Sequence, residues 1–159
     1  MNLPDEITIN GLLYRRVLQE DISPKPTNPT SQFKWSKRSL GKLAGIHPDL
    51  RKVMDRALEL VPVDIMVLEG LRTIERQREL VRKKASKTMR SRHLTGHAVD
   101  IAPLDSNGKV SWDWPLYHQI APAIKQAAVE VGVPIEWGGD WTSFKDGPHW
   151  QLPWDKYPA

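Results

Sequence analysis

The chain has 159 residues, 40% of them hydrophobic and 26% charged, with no cysteine and a formal net charge of +4. These values suit one globular domain, large enough to bury a core without disulfide staples. Without cysteine there is no thiolate zinc finger, iron–sulfur cluster, disulfide framework or cysteine nucleophile, so any metal must sit on histidine and carboxylate.

The charge is unevenly placed. Residues 1–92 carry 19 basic and 11 acidic side chains, whereas residues 93–159 carry 4 and 8. Nine basic residues fall between Arg72 and Arg92, against only Glu75 and Glu79. Such a cluster fits either a polyanionic partner or a solvated helix face. The longest apolar run, Ile65-Met66-Val67-Leu68, is far short of the ~20 residues a membrane helix needs. The start, MNLPDEITINGLLYRRV, is acidic where a signal peptide is basic. Synthesis in the cytoplasm without a signal peptide or transmembrane segment is expected.

In chain order, residues 1–20 alternate weakly and predict a short hairpin around Asn10-Gly11. Residues 21–34 (DISPKPTNPTSQFK) read as a Pro-rich linker, which leaves 1–34 as an N-terminal extension and 35–159 as the compact domain. After His47-Pro48, the spacing of Leu50, Val53, Met54, Ala57 and Val61 predicts an amphipathic helix. A buried strand over Asp64–Glu69 follows. Thr73 is placed to cap a second helix reaching about Lys84. Ala98–Ile101 reads as a strand and Asp105-Ser106-Asn107-Gly108 as a turn. Asp113 is placed to cap a third helix with Leu116, Ile120, Ile124, Ala127, Ala128 and Val131 inward, kinked or restarted at Pro122 and ended by Gly132 and Pro134. Ile135–Trp137 and Pro148–Leu152 read as closing strands. The expected fold class is α+β, with a small antiparallel sheet packed against about three helices.

Two stretches carry chemistry: SRHLTGHAVD (91–100) and KDGPHW (145–150). His93, Asp100 and His149 supply two imidazoles and one carboxylate, a three-ligand set that leaves a coordination position open for water on Zn2+. Gly96 permits the chain to turn between His93 and Asp100. Asp146, three residues before His149, suits a general base that takes a proton from the water and passes it to the leaving amine.

Together these stretches resemble the LAS-type zinc peptidases of the D-alanyl-D-alanine carboxypeptidase/VanY-like group (peptidase M15), in particular phage L-alanyl-D-glutamate peptidase endolysins. GLRTIERQREL resembles the same group's Gly-x-Arg-Thr segment, and SKRSLGKLAGIHPDLRKVMDRAL its entry helix; the likeness runs from about Ser36 to Leu152. It implies zinc on His93, Asp100 and His149, with Asp146 as catalytic base. It also implies that Arg72, Gln77 and Ser91 face the substrate cleft. Arg72 can stabilise an oxyanion or grip a substrate carboxylate, and the residues alone leave both open. Trp137, Trp141 and Trp150 either wall the cleft or form a Trp-rich core. Asp140 is placed to orient a ligand imidazole. His47, His97 and His118 are expected to be packing or surface residues.

The resemblance implies a peptidoglycan-degrading endopeptidase that cuts the L-Ala–D-Glu bond of the stem peptide through a metal-bound water. Its expected partners are the stem peptide and the anionic cell wall, without nucleic acid, and a monomer is expected. Action on the wall from the periplasm would follow holin-type release. Two other readings exist. A D-alanyl-D-alanine carboxypeptidase or dipeptidase keeps the fold and changes the bond, while a basic nucleic-acid-binding protein would use the cluster as a structural metal site.

Overall fold

The computed structural model describes residues 6–9, 12–15 and 32–158. Strands β1 (Glu6–Ile9) and β2 (Leu12–Arg15) pair antiparallel, with Ile7 opposite Tyr14. The predicted turn at Asn10-Gly11 and most of the predicted linker lie outside the described residues.

The predicted entry helix is two helices, α1 (Lys37–Leu43) and α2 (Pro48–Leu60). Proline disfavours helical geometry in the residue before it. His47 is accordingly extended (φ −57°, ψ 139°), and it caps α2 by accepting a hydrogen bond from Asp49 N. Four helices therefore flank the sheet among the described residues, in the α+β arrangement expected. α2 buries Leu50, Val53, Met54, Ala57 and Leu58, the face its periodicity predicts plus one residue.

Next come β3 (Ile65–Glu69), α3 (Ile74–Arg82), β4 (Ala98–Pro103), α4 (Trp114–Val131), β5 (Glu136–Trp137) and β6 (His149–Gln151). The sheet order is β3-β4-β6-β5, antiparallel throughout. Thr73 caps α3 through Arg76 N, as predicted. At the free edge of β3, Val67 N donates to the buried Ser39 hydroxyl of α1, which occupies a group that an open edge would expose.

α4 departs from expectation at its start. Asp113 makes no side-chain cap, and Pro115 in the first turn already removes one of the donors that a cap would satisfy. Pro122 neither breaks nor restarts the helix. Buried residues on both sides of it, including Ile120, Ala121, Ala123 and Ile124, belong to the core that α4 shares with α2. That packing holds the helix together against the ~3 kcal/mol an internal proline costs. Leu116 and Val131 are only half-buried, whereas Tyr117 is buried.

Candidate active site

The site is built on one row of the sheet. Asp100 on β4 lies directly opposite His149 on β6, and cross-strand partners point to the same face. On the other side of β4 the register shifts between Val67 and Glu69, so that Glu69 stands opposite Asp100. In an unshifted ladder Leu68 would occupy that place. The bulge thus exchanges an apolar side chain for a carboxylate beside Asp100, the re-aiming that bulges perform near active sites.

His93 arrives from a different element, the 3-10 turn Arg92–Thr95. Ser91 caps this turn by accepting from His93 N at 3.2 Å. Gly96 ends it with φ 75°, where a side chain would be strained and a Cβ would lie 2.7 Å from the Gly45 carbonyl. The His93 ring is fixed by a 2.9 Å contact from Nδ1 to the Gly70 carbonyl. The His149 ring is fixed through Nε2, 2.8 Å from Gln151 Oε1, and Gln151 in turn donates to Glu136.

Each ring therefore offers its other nitrogen to one point. His93 Nε2 lies 3.3 Å and His149 Nδ1 3.4 Å from Asp100 Oδ1. The ligand atoms of the three residues all fall within 4.8 Å of one another. His93 Nε2 and Asp100 Oδ1 are buried without an aligned hydrogen bond. Unpaired buried polar atoms are costly. Two imidazole nitrogens and a carboxylate converging on one point fit a divalent cation. Burial opposes ionisation of Asp100, yet the adjacent His149 and His93 outweigh it and hold the carboxyl far below the usual carboxylate range. Burial likewise disfavours a charged His149, but Asp100 reverses this and raises its pKa.

Beside this cluster opens a cleft of about 570 Å³, lined by Arg72, Ser91, Trp141, Asp146 and Trp154 among others. Asp146 sits on the loop before β6, its backbone N bonded to Gly138 O and its carbonyl accepting from His149 N. Burial, then repulsion from Asp100, raises its pKa, and the partly offsetting attractions come from His149, His93 and Arg72. A carboxyl shifted this way holds a proton more readily, as proton transfer requires. Gly138 makes the loop possible: a Cβ there would collide with the Asp146 carbonyl and lie 3.0 Å from Asp146 Cβ. Gly138→Ala is expected to cost about 1–3 kcal/mol through this overpacking and to lower activity by moving Asp146. Denaturant melts paired with hydrolysis rates check both effects.

Arg72 is largely spoken for. Its Nε and Nη2 donate to the two carboxylate oxygens of Glu69 at 2.8 and 2.7 Å, and Nη1 donates to Gln77 Oε1 at 2.7 Å. Nη1 also lies 3.4 Å from Ser91 Oγ, and Nη2 is 3.9 Å from Asp100 Oδ2. A guanidinium has five N–H bonds. Its fork is committed to Glu69, and one Nη2 hydrogen remains free on the Asp100 side.

Not every predicted residue meets the cleft. Gln77 is completely buried behind Arg72. Trp137 and Trp150 stack on each other in the core, ring centroids 5.6 Å apart, with Trp150 fully buried. They face inward because alternation on β6 puts Trp150 opposite to His149. Asp140 is exposed and pairs with Lys125 at 2.6 Å, not with a ligand imidazole. Trp141 does line the cleft, with its ring centroid 5.1 Å from that of His149. His97 packs with His47 and Tyr157, and His118 lies on exposed α4 surface between Trp114 and Trp137. The residues that sequence reasoning missed are Glu69, Gln151 and the Gly70 carbonyl. Glu69 had a faint signal as an acidic end to an apolar strand, but the bulge that aims it had none.

Comparison with known proteins decides the family. Residues 31–151 match the model of the phage L-alanyl-D-glutamate peptidases. The chain belongs to this family. The peptidase is 36% identical over 118 residues to the L-alanyl-D-glutamate peptidase of Escherichia phage T5, covering 72% of this chain and 85% of that protein. It is 37% identical over 107 residues to the L-alanyl-D-glutamate peptidase of Listeria phage A118, covering 67% of this chain but 36% of that longer protein. Among solved structures, the Serratia marcescens L-Ala D-Glu endopeptidase ChiX is similar at a TM-score of 0.76 and 50% identity, over 83% of this chain and 98% of that one.

Proposed function

We propose that this chain is a zinc endopeptidase that cleaves the L-Ala–D-Glu bond of peptidoglycan stem peptides. The observation that carries the reading is the convergence of His93 Nε2, His149 Nδ1 and the Asp100 carboxylate beside a cleft walled by Asp146, in a chain of this family. Those three residues would hold the metal. Zinc, when bound, supplies Lewis acidity that acidifies water and polarises an amide carbonyl.

The chain's own groups do the rest. Asp146 accepts a proton from the attacking water and returns it to the nitrogen of the leaving amine. The one uncommitted Nη2 hydrogen of Arg72 favours oxyanion stabilisation over a two-pronged grip on a substrate carboxylate, because the fork is already taken by Glu69. Gln151 and the Gly70 carbonyl hold the two imidazoles in the tautomers that leave the inward nitrogens free. Ser91 and Trp141 line the path of the peptide. Exposed Lys83, Lys84, Lys87 and Arg90 beside the cleft suit an anionic wall.

The catalytic unit in this reading is 35–159, with 1–34 an extension, and the protein acts on the cell wall after holin-type release. Among the described residues no helix is long and apolar enough to cross a membrane.

Mass spectrometry of sacculi digested with the protein tests the bond. The expected products are stem peptides with a new N-terminal glutamate and glycan strands that retain L-Ala. Release of free D-Ala or D-Ala-D-Ala instead would overturn the assignment in favour of a carboxypeptidase or dipeptidase. Salt-sensitive DNA binding with unchanged muropeptides would overturn it altogether.

A further inference from the structure

Gln77 is an uncommon residue to find in a protein interior. It is the only buried side chain of α3, with 0% exposure, on a helix where Ile74, Leu80 and Val81 are all less buried than this amide. Burying an amide costs free energy unless its groups are paired, and here they are. Oε1 accepts from Arg72 Nη1 at 2.7 Å, while Nε2 donates to Thr88 O at 2.6 Å and to Ser86 Oγ at 2.9 Å. The chemistry of the partners fixes which end of the amide points where. A guanidinium can only donate and a carbonyl can only accept, so oxygen must face Arg72 and nitrogen must face Thr88. Of the side chains this long, only glutamine carries both functions.

The two ends of this amide touch two walls of the same cleft. Arg72, Ala85, Ser86, Thr88, Arg90 and Ser91 all line it. Arg72 is in turn tied to the sheet by its fork on Glu69 and to the His93 turn by its backbone N, which donates to His93 O at 2.9 Å. Glu69 fixes one edge of the guanidinium plane, and Gln77 fixes the Nη1 corner. With both in place, rotation of the plane is blocked and the free Nη2 hydrogen has one direction.

We propose that Gln77 is a positioning residue: it touches no substrate, and it sets the direction of the free Arg72 donor while anchoring the 85–90 segment of the cleft wall to that same guanidinium. This rests on the reading of Arg72 as an oxyanion donor. Misplacing a group by an ångström can cost ~100-fold in rate. The effect therefore falls on kcat, because the donor is needed most where charge develops.

The test is a mutant cycle on the zinc-loaded protein with a soluble stem-peptide substrate, with melting temperatures and bound zinc measured for every variant. Gln77→Met removes both functions at similar volume and is expected to lower kcat by ~10- to 100-fold with KM changed less than about threefold. Gln77→Glu keeps the acceptor for Arg72 and loses the donors to Ser86 and Thr88. It is expected to recover most of the lost kcat, although its cleft-wall segment is freed. In an Arg72→Ala background, Gln77→Met is expected to cost less than about twofold, because residues acting as a unit are non-additive.

An undiminished Gln77→Met loss in that background would overturn the proposal while leaving the role of Arg72 intact. So would a Gln77→Glu variant as slow as Gln77→Met with unchanged melting temperature. Wild-type kcat in Arg72→Ala alone would sink the oxyanion reading itself, and the positioning role with it. Should Gln77→Met fail to fold, the Gln77→Glu comparison alone and in the Arg72→Ala background decides.

Discussion

Asp146→Ala is expected to abolish measurable hydrolysis of purified sacculi, a loss of roughly 10²- to 10⁴-fold for a positioned proton-transfer group, in a protein that still folds and still holds its metal. The structural grounds are specific. Asp146 lies on a loop outside the α2–α4 core, and its backbone, rather than its carboxylate, makes the bonds to Gly138 and His149 that fix the loop. Removing the carboxylate also removes a repulsion against Asp100, so stability should not fall. Asp146→Asn should be nearly as slow as Asp146→Ala, since an amide has the shape without the basicity. Near-wild-type rates in both variants, with unchanged melting curves, would remove Asp146 from the reaction.

Metal removal is expected to have the other large effect, on stability as well as activity. Asp100 Oδ1 and His93 Nε2 are buried without aligned partners, so the metal-free protein retains an unsatisfied cluster beneath its cleft. A ligand that binds only the native state stabilises it by about 2.7 kcal/mol at 100 times Kd, which corresponds to roughly 5–10 °C in melting temperature for a domain of this size. Chelation should lower the melting temperature by that order and stop hydrolysis, and one equivalent of zinc should restore both. His93→Ala, Asp100→Ala and His149→Ala should each remove the zinc-dependent increment. A chelated protein that melts unchanged and still cuts peptidoglycan would show that the cluster is not the catalytic metal centre.

The fold and the site were legible in the sequence to different depths. α2 could be read because Leu50, Val53, Met54 and Ala57 recur at the helical period, and a packed face needs no knowledge of its partner. The end of α4 at Gly132 could be read because its backbone is left-handed, φ 72°, and glycine tolerates that at no steric cost. Pro122 lies inside an unbroken α4, because the packing of α4 on α2, which a local rule about proline omits, outweighs its cost. His47-Pro48 marked the start of α2 in the sequence, whereas α1 spans seven residues, too few for a helical period to show.

What the sequence determined by itself was the chemistry available. The absence of cysteine and two short motifs, His93 to Asp100 and Asp146 to His149, limit a metal site to imidazole and carboxylate and place a second carboxylate beside it. Each motif is local, with its turns set by Gly96 and by Gly147-Pro148, so spacing alone carried the information. Only the tertiary structure decided which side chains share a face. Strand register pairs Asp100 with His149 across 49 residues, and the bulge in β3 selects Glu69 over Leu68 for the same row. The same alternation turns Trp150 into the core against Trp137, while Gln77, on a helix of mostly charged residues, is drawn inward by Arg72. A one-residue shift in a strand reverses every side chain beyond it, and no residue type records such a shift.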